Sequence, residues 1–139
     1  MKVSAKAEYA CLAMLALARH GPDAPPVRIR EISESHGIPE RYLVQILLQL
    51  KSAGLVTSTR GASGGYHLAR PASAISIGQV LAAVEGPDLT TRVELSSRCP
   101  DAAVLDPVWE SARVAQRAVL DSTTLDQLAR QAAPIEWTI

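Results

Sequence analysis

The sequence predicts a mainly α-helical domain carrying one small β hairpin and followed by a long C-terminal helix. Three observations point there. Apolar residues recur at three- and four-residue spacing through most of the chain and alternate only between Leu55 and Ala69. Gly and Pro pairs cut the helical runs from one another. A last seam of Leu105, Val108, Ala112, Ala115 and Val119 is long enough for a helix that packs along another helix. With 139 residues there is room for one modest core, and with no Phe that core must be aliphatic and rich in alanine.

The first helix is expected from Ser4, a good N-cap, to Arg19, where Gly21-Pro22 stops it and a Pro-rich loop runs to Pro26. A short helix follows with Ile29 and Ile32 inward and Arg28, Arg30, Glu31 and Glu34 outward, and Gly37 permits a tight turn after it. Pro39 then opens a third helix that buries Leu43, Ile46, Leu47 and Leu50 and ends at Ala53-Gly54. Helix, turn at Gly37 and helix are the outline of a helix-turn-helix. Beyond Gly54 the residues 55–59 and 66–69 alternate as paired strands around the tip Arg60-Gly61-Ala62-Ser63-Gly64-Gly65, so the hairpin reads as a wing. Ile75 to Glu85 is one more amphipathic helix, with Ile77, Val80, Leu81 and Val84 inward. Residues 87–104 read as a loop. Asp106 is placed to cap the long helix with Pro107 at its first position. Thr124-Leu125-Asp126-Gln127 is a capping box for a final short helix that Pro134 ends. The division expected is therefore a winged helix-turn-helix domain over 1–86, a sensor-like loop over 87–104, and a dimerisation helix with a short C-terminal helix over 105–139.

Overall charge is zero and gives nucleic-acid binding no support, but its distribution does. Residues 1–85 carry nine Lys/Arg against six Asp/Glu, and residues 86–139 carry five against eight. The third helix presents Arg41, Gln45 and Ser52 opposite its core stripe, with Leu48 among them and Lys51 near its end. Arg can place two hydrogen bonds on a guanine edge and Gln two on an adenine edge, so this face suits a DNA major groove; an ordinary solvated face is the plain alternative. Arg60, beside Gly61 on a flexible tip, can enter a minor groove.

Other chemistries find less support. Gly61-Ala62-Ser63-Gly64-Gly65 fits the G-x-S-x-G nucleophile elbow, yet a strand follows where a helix should, and His67 comes after Ser63 with no acid between them. An enzyme is not expected. The two cysteines, Cys11 and Cys99, form neither a disulfide framework nor a CxxC knuckle, and His20, His36 and His67 lack ligand spacing. The apolar stretch from Tyr9 to Ala18 is too short to span a bilayer and is read as core, so no membrane contact is expected and a reducing cytoplasm is the default. Cys11 reads as a small buried hydrophobe. Cys99, beside Arg98, is a possible redox-sensor thiol or a functionless exposed one.

The runs Tyr42-Leu43, Leu50-Lys51-Ser52-Ala53-Gly54-Leu55-Val56, Ser58-Thr59-Arg60-Gly61 and Gly64-Gly65-Tyr66-His67-Leu68-Ala69-Arg70 resemble the Rrf2 family of bacterial winged-helix regulators, the IscR, NsrR and CymR group. The opening Met1-Lys2-Val3-Ser4 with Tyr9-Ala10, and Leu105 to Trp109 with Thr124-Leu125 to Leu128, are similar too, so the resemblance covers nearly the whole chain. It implies a transcriptional regulator, a repressor by expectation, acting as a homodimer on a palindromic operator of double-stranded DNA. Reading would fall to Pro39, Arg41, Val44 and Gln45 of the third helix and to Arg60, and pairing to Leu105, Val108, Trp109, Ala112, Ala115 and Val119. Pro39 and Val44 cannot hydrogen-bond a base through their side chains, which leaves a protein-interaction module as the alternative.

Many members of this family hold an iron–sulfur cluster on three cysteines in the loop before the dimer helix. Here residues 87–106 contain Cys99 alone, so no cluster and no other cofactor is expected. A shared metal site of Glu8, Cys11 and Cys99 across a dimer would still be one ligand short. A small molecule, a partner protein or oxidation of Cys99 is then the expected signal.

Overall fold

A computed structural model describes residues 2–86 and 99–132 of the chain. In order, the elements are α1 (Ala5–His20), α2 (Ile29–His36), α3 (Glu40–Ser52), strands β1 (Val56–Thr59) and β2 (Gly65–Leu68), a 3₁₀ turn at Ala72–Ala74, α4 (Ile77–Glu85), α5 (Pro100–Ser122) and α6 (Leu125–Gln131). The architecture is mostly helical with one antiparallel hairpin, as the periodicity predicts.

α1 is the central helix. Ser4 caps it by accepting from the Ala7 amide, and Ala7, Ala10, Ala13, Met14, Ala16 and Leu17 are all buried. Alanine spacing lets neighbouring helices approach closely, and α3, α4 and α6 all pack on α1. The core is one aliphatic cluster in which Met14, Ile32, Ile38, Leu43, Ile46, Leu47, Leu50, Leu55, Ile75, Val80 and Leu125 are sealed from solvent. Gly37 takes the left-handed conformation, φ 65°, that closes α2 and turns the chain into α3. Pro39 is the residue before α3, one position earlier than expected.

In the hairpin Val56 pairs with Leu68, Thr57 with His67, Ser58 with Tyr66 and Thr59 with Gly65. A further segment joins β2 on its other side: Val27 and Tyr66 exchange two backbone hydrogen bonds, of 2.9 and 2.8 Å. The wing is thereby tied to the chain just before α2.

α5 departs from the sequence reading. It begins at Pro100, not after Asp106, and Pro107 lies inside it. Asp106 therefore caps nothing. Two prolines compete for the first-turn position, and Pro100 supplies the start, while Ala102, Ala103 and Leu105 are strong helix formers that carry the helix across Pro107. No residue of α5 is buried. Its C-terminal end is fastened to the domain: the Ile77 amide donates to the Thr123 carbonyl at 2.9 Å, and the Leu125 amide to the Ile75 carbonyl at 2.9 Å. Thr124 and Gln127 form the expected capping box of α6, whose Leu125 enters the core. Pro134, expected to end α6, lies outside the described residues, as does most of the 87–104 loop.

Candidate nucleic-acid interface

The buried stripe of α3, Leu43, Ile46, Leu47 and Leu50, fixes which face looks outward. Arg41, Gln45, Leu48 and Ser52 occupy the opposite face and are exposed. Val44 is 42% and Leu48 53% exposed. Pro39 is exposed at the start of the helix.

Arg41 is not loose. Its guanidinium carbon stands 4.9 Å from the Tyr42 ring centroid and its Nη2 donates to the Tyr42 hydroxyl at 3.3 Å. Tyr42 in turn stacks on Tyr9 of α1, centroids 6.4 Å apart and planes at 23°. This chain from α1 to the outward face of α3 spans 33 positions and no local pattern announces it. Gln45 is exposed, and among the described residues its side chain has no hydrogen-bond partner. Lys51 does have one: its Nζ donates to Ser58 Oγ at 2.7 Å, tying the end of α3 to β1. Ser52 borders a shallow groove with Leu48, Gln49, Ala53 and Ala83, on the α4 side of the helix.

At the wing, Arg60 and Gly61 are exposed at the tip, with Gly61 at φ 105° and its carbonyl accepting from the Gly64 amide at 2.9 Å. Gly65 holds the strand against the α2 side: a Cβ there would lie 2.6 Å from the Val27 carbonyl oxygen, at φ 155°. Arg28, which sequence reading placed merely outward, reaches the tip and donates from Nη2 to the Ala62 carbonyl. Arg28, Ser58, Thr59, Arg60, Ala62 and Gly64 thus border one groove of about 490 Å³. Ser63 sits in the turn between two strands, so no nucleophile elbow forms around it.

The expected pairing residues of α5 are solvent-facing. Leu105 is 48%, Val108 56%, Trp109 53% and Val119 63% exposed, and Ala112 and Ala115 are exposed beside them. So much apolar surface on one helix is what a binding face presents.

The cysteines stand apart in character. Cys11 is half-buried on α1, and burial, with the Glu8 and Glu85 carboxylates adding to it, pushes its thiol up to about 11. Cys99 is exposed immediately before α5. Arg98 lies outside the described residues. Among the described residues no three His, Cys, Asp or Glu side chains converge in a way that could hold a metal ion, and no helix is long and apolar enough to cross a membrane.

This geometry can be set beside known proteins. The chain is 41% identical over 138 residues to a Mycobacterium tuberculosis protein described as a candidate HTH-type transcriptional regulator, covering 96% of this chain and 84% of that one. It is 39% identical over 130 residues to the HTH-type transcriptional regulator CymR of Bacillus subtilis, covering 93% and 90% respectively. The structure of CymR, the global cysteine regulator of B. subtilis, superposes with a TM-score of 0.78 at 34% identity over 96% of this chain and 99% of that one. T. potens IscR superposes with a TM-score of 0.78 at 37% identity, covering 96% and 89%. A family model described as Rrf2, iron-dependent transcriptional regulator, matches residues 3–131. With a helix-turn-helix, a wing and this match along nearly its whole length, the chain belongs to the Rrf2 family of DNA-binding transcriptional regulators.

Proposed function

We propose that the chain is a sequence-specific repressor that works as a homodimer on a palindromic operator, read by Arg41 and Gln45 in the major groove and by Arg60 in the minor groove. The observation that carries this reading is the outward face of α3, where Arg41 is held by Tyr42 and, among the described residues, Gln45 has no hydrogen-bond partner. Arg and Gln supply bidentate contacts to guanine and adenine. Exposed Val44 suits a thymine methyl. Lys51 and Ser52 border this surface and Gly61 lies at the wing tip; all three would contact the phosphates of the DNA backbone, Lys51 from its place against Ser58.

Pairing through α5 would present two reading heads to half-sites about 34 Å apart or a multiple of that. Selection of duplexes from random sequence tests the whole reading. Palindromic sites are expected, and Arg41→Ala or Gln45→Ala should each cost about 1–3 kcal/mol at one base position and relax specificity there. Selection of no sequence would favour a protein-interaction module; variants binding like the parent would overturn the assignment of the reading residues.

The family description invokes iron, and the donors of this chain do not fit an iron–sulfur cluster. It has two cysteines in all, and one of them holds its proton well above neutral pH. We infer that no cluster is held, that Glu8, Cys11 and Cys99 make no shared site, and that control passes to a small molecule, a partner protein or oxidation of exposed Cys99.

A further inference from the structure

Arg28 occupies a place that helix physics does not explain. It is the N-cap residue of α2, where Ser, Thr, Asp or Asn would accept a hydrogen bond from the first turn, and Arg28 makes no capping bond. A cation there also opposes the positive end of the helix dipole. The side chain reaches 34 residues along the chain instead, to the Ala62 carbonyl at the wing tip. The tip needs such a hold. The β1–β2 ladder ends at the Thr59–Gly65 pair, and Val27 grips β2 at Tyr66. Beyond that, the turn is closed by the single Gly61–Gly64 backbone bond.

We propose that Arg28 is a positioning residue for DNA recognition: its hydrogen bond to the Ala62 carbonyl braces the 60–65 turn against the helix-turn-helix and so aims Arg60. The inference rests on Arg60 reading DNA. A short two-stranded ribbon is a soft support, and an Arg at its end loses affinity if it must first be ordered. A charge-assisted bond from the rigid base of α2 removes that cost before DNA arrives. Backbone recognition at Ala62 makes the brace independent of the side chain at that position.

A double-mutant cycle on a duplex selected by the parent protein tests this, using Arg28→Ala, Arg60→Ala and the pair. Arg28→Ala should weaken binding about tenfold in the parent and less than about twofold when Arg60 is already Ala. Its salt dependence should match the parent's. An Arg28 bound directly to phosphate would instead act additively and lower the salt slope by roughly 0.9, and that result would overturn the proposal. Hydrogen exchange of the free protein gives a readout without DNA. Amides 61–65 should exchange several-fold faster in Arg28→Ala while those of α1 stay unchanged, and unchanged exchange at the tip would sink the brace. If Arg60→Ala alone binds like the parent, the reading of Arg60 fails, and the exchange experiment still decides whether Arg28 holds the turn.

Discussion

Placing a charge at Val108 of α5 is the sharpest way to test the pairing face. Val108 leaves 56% of its surface in water. Full burial of a valine stabilises by about 1.5–3 kcal/mol, so covering this remainder contributes roughly 1 kcal/mol per copy. In a two-fold interface each position is used twice, which makes about 2 kcal/mol, or roughly thirtyfold in the dimerisation constant. Val108→Asp loses that and also buries an unpaired carboxylate in each copy, a further cost of several kcal/mol, so dimerisation should weaken by about a thousandfold or more.

The same helix supplies the control. Val114 is 59% exposed, and at 100° per residue it lies about 140° from the centre of the Leu105–Val119 seam. Val114→Asp should leave the dimer intact. Sedimentation equilibrium over a micromolar concentration series measures both constants. If Val108→Asp dimerises like the parent, or if the two variants weaken together, the seam is not the interface and the reasoning from exposed surface is wrong.

Further outcomes are expected elsewhere. Gly65→Ala should lower stability by about 1–3 kcal/mol, because the new Cβ meets the Val27 carbonyl and the backbone sits at positive φ; an unchanged thermal midpoint would contradict this. At pH 8 iodoacetamide should modify exposed Cys99 and spare Cys11, which peptide mass mapping resolves. The Cys11 thiol titrates near 9.0 in the ordinary case and about 11 in the fold, so the folded chain keeps a proton that the unfolded chain releases. Stability should therefore decline as pH rises from 9.0 towards 11, and Cys11→Ala should remove that part of the decline. Protein purified without oxygen should carry no stoichiometric iron or sulfide, and visible charge-transfer absorption would reverse the inference on the cluster.

What the sequence made legible was whatever is local. The stripes of α2 and α3, the Val80 and Val84 positions of α4 and the turn at Gly37 are short-range patterns that the structure repeats. The wing strands keep their expected bounds within a residue but do not alternate in burial, β1 being exposed after Val56 and β2 half-buried throughout. The start of α5 was misjudged because Pro107 looks like a first-turn proline, and nothing local says that Pro100 takes that place first. Arg41 and Gln45 fall on the surface by exclusion from the core stripe, which requires only periodicity, and Arg60 by its place in a glycine-rich turn. The Tyr9–Tyr42 stack, the Val27–Tyr66 bridge and the reach of Arg28 join residues 33 to 39 positions apart, where periodicity carries no information. Arg28 did leave a trace, an ill-suited residue at a helix start, which reads as a local rule broken for a distant gain.

Within one chain, and among the described residues, α5 is fastened through its C-terminal end by the Ile77–Thr123 and Leu125–Ile75 bonds, so taken alone it is mechanically a cantilever. Its 23 residues span about 34 Å at 1.5 Å per residue. A rod of that length turns a tilt of ten degrees at the anchored end into a sweep of about 6 Å at Pro100. Leverage runs the other way as well. A force applied at the Cys99 end acts through that arm on the anchor beside Ile75 and Ile77, and the α4 and α6 helices joined there pack directly on α1.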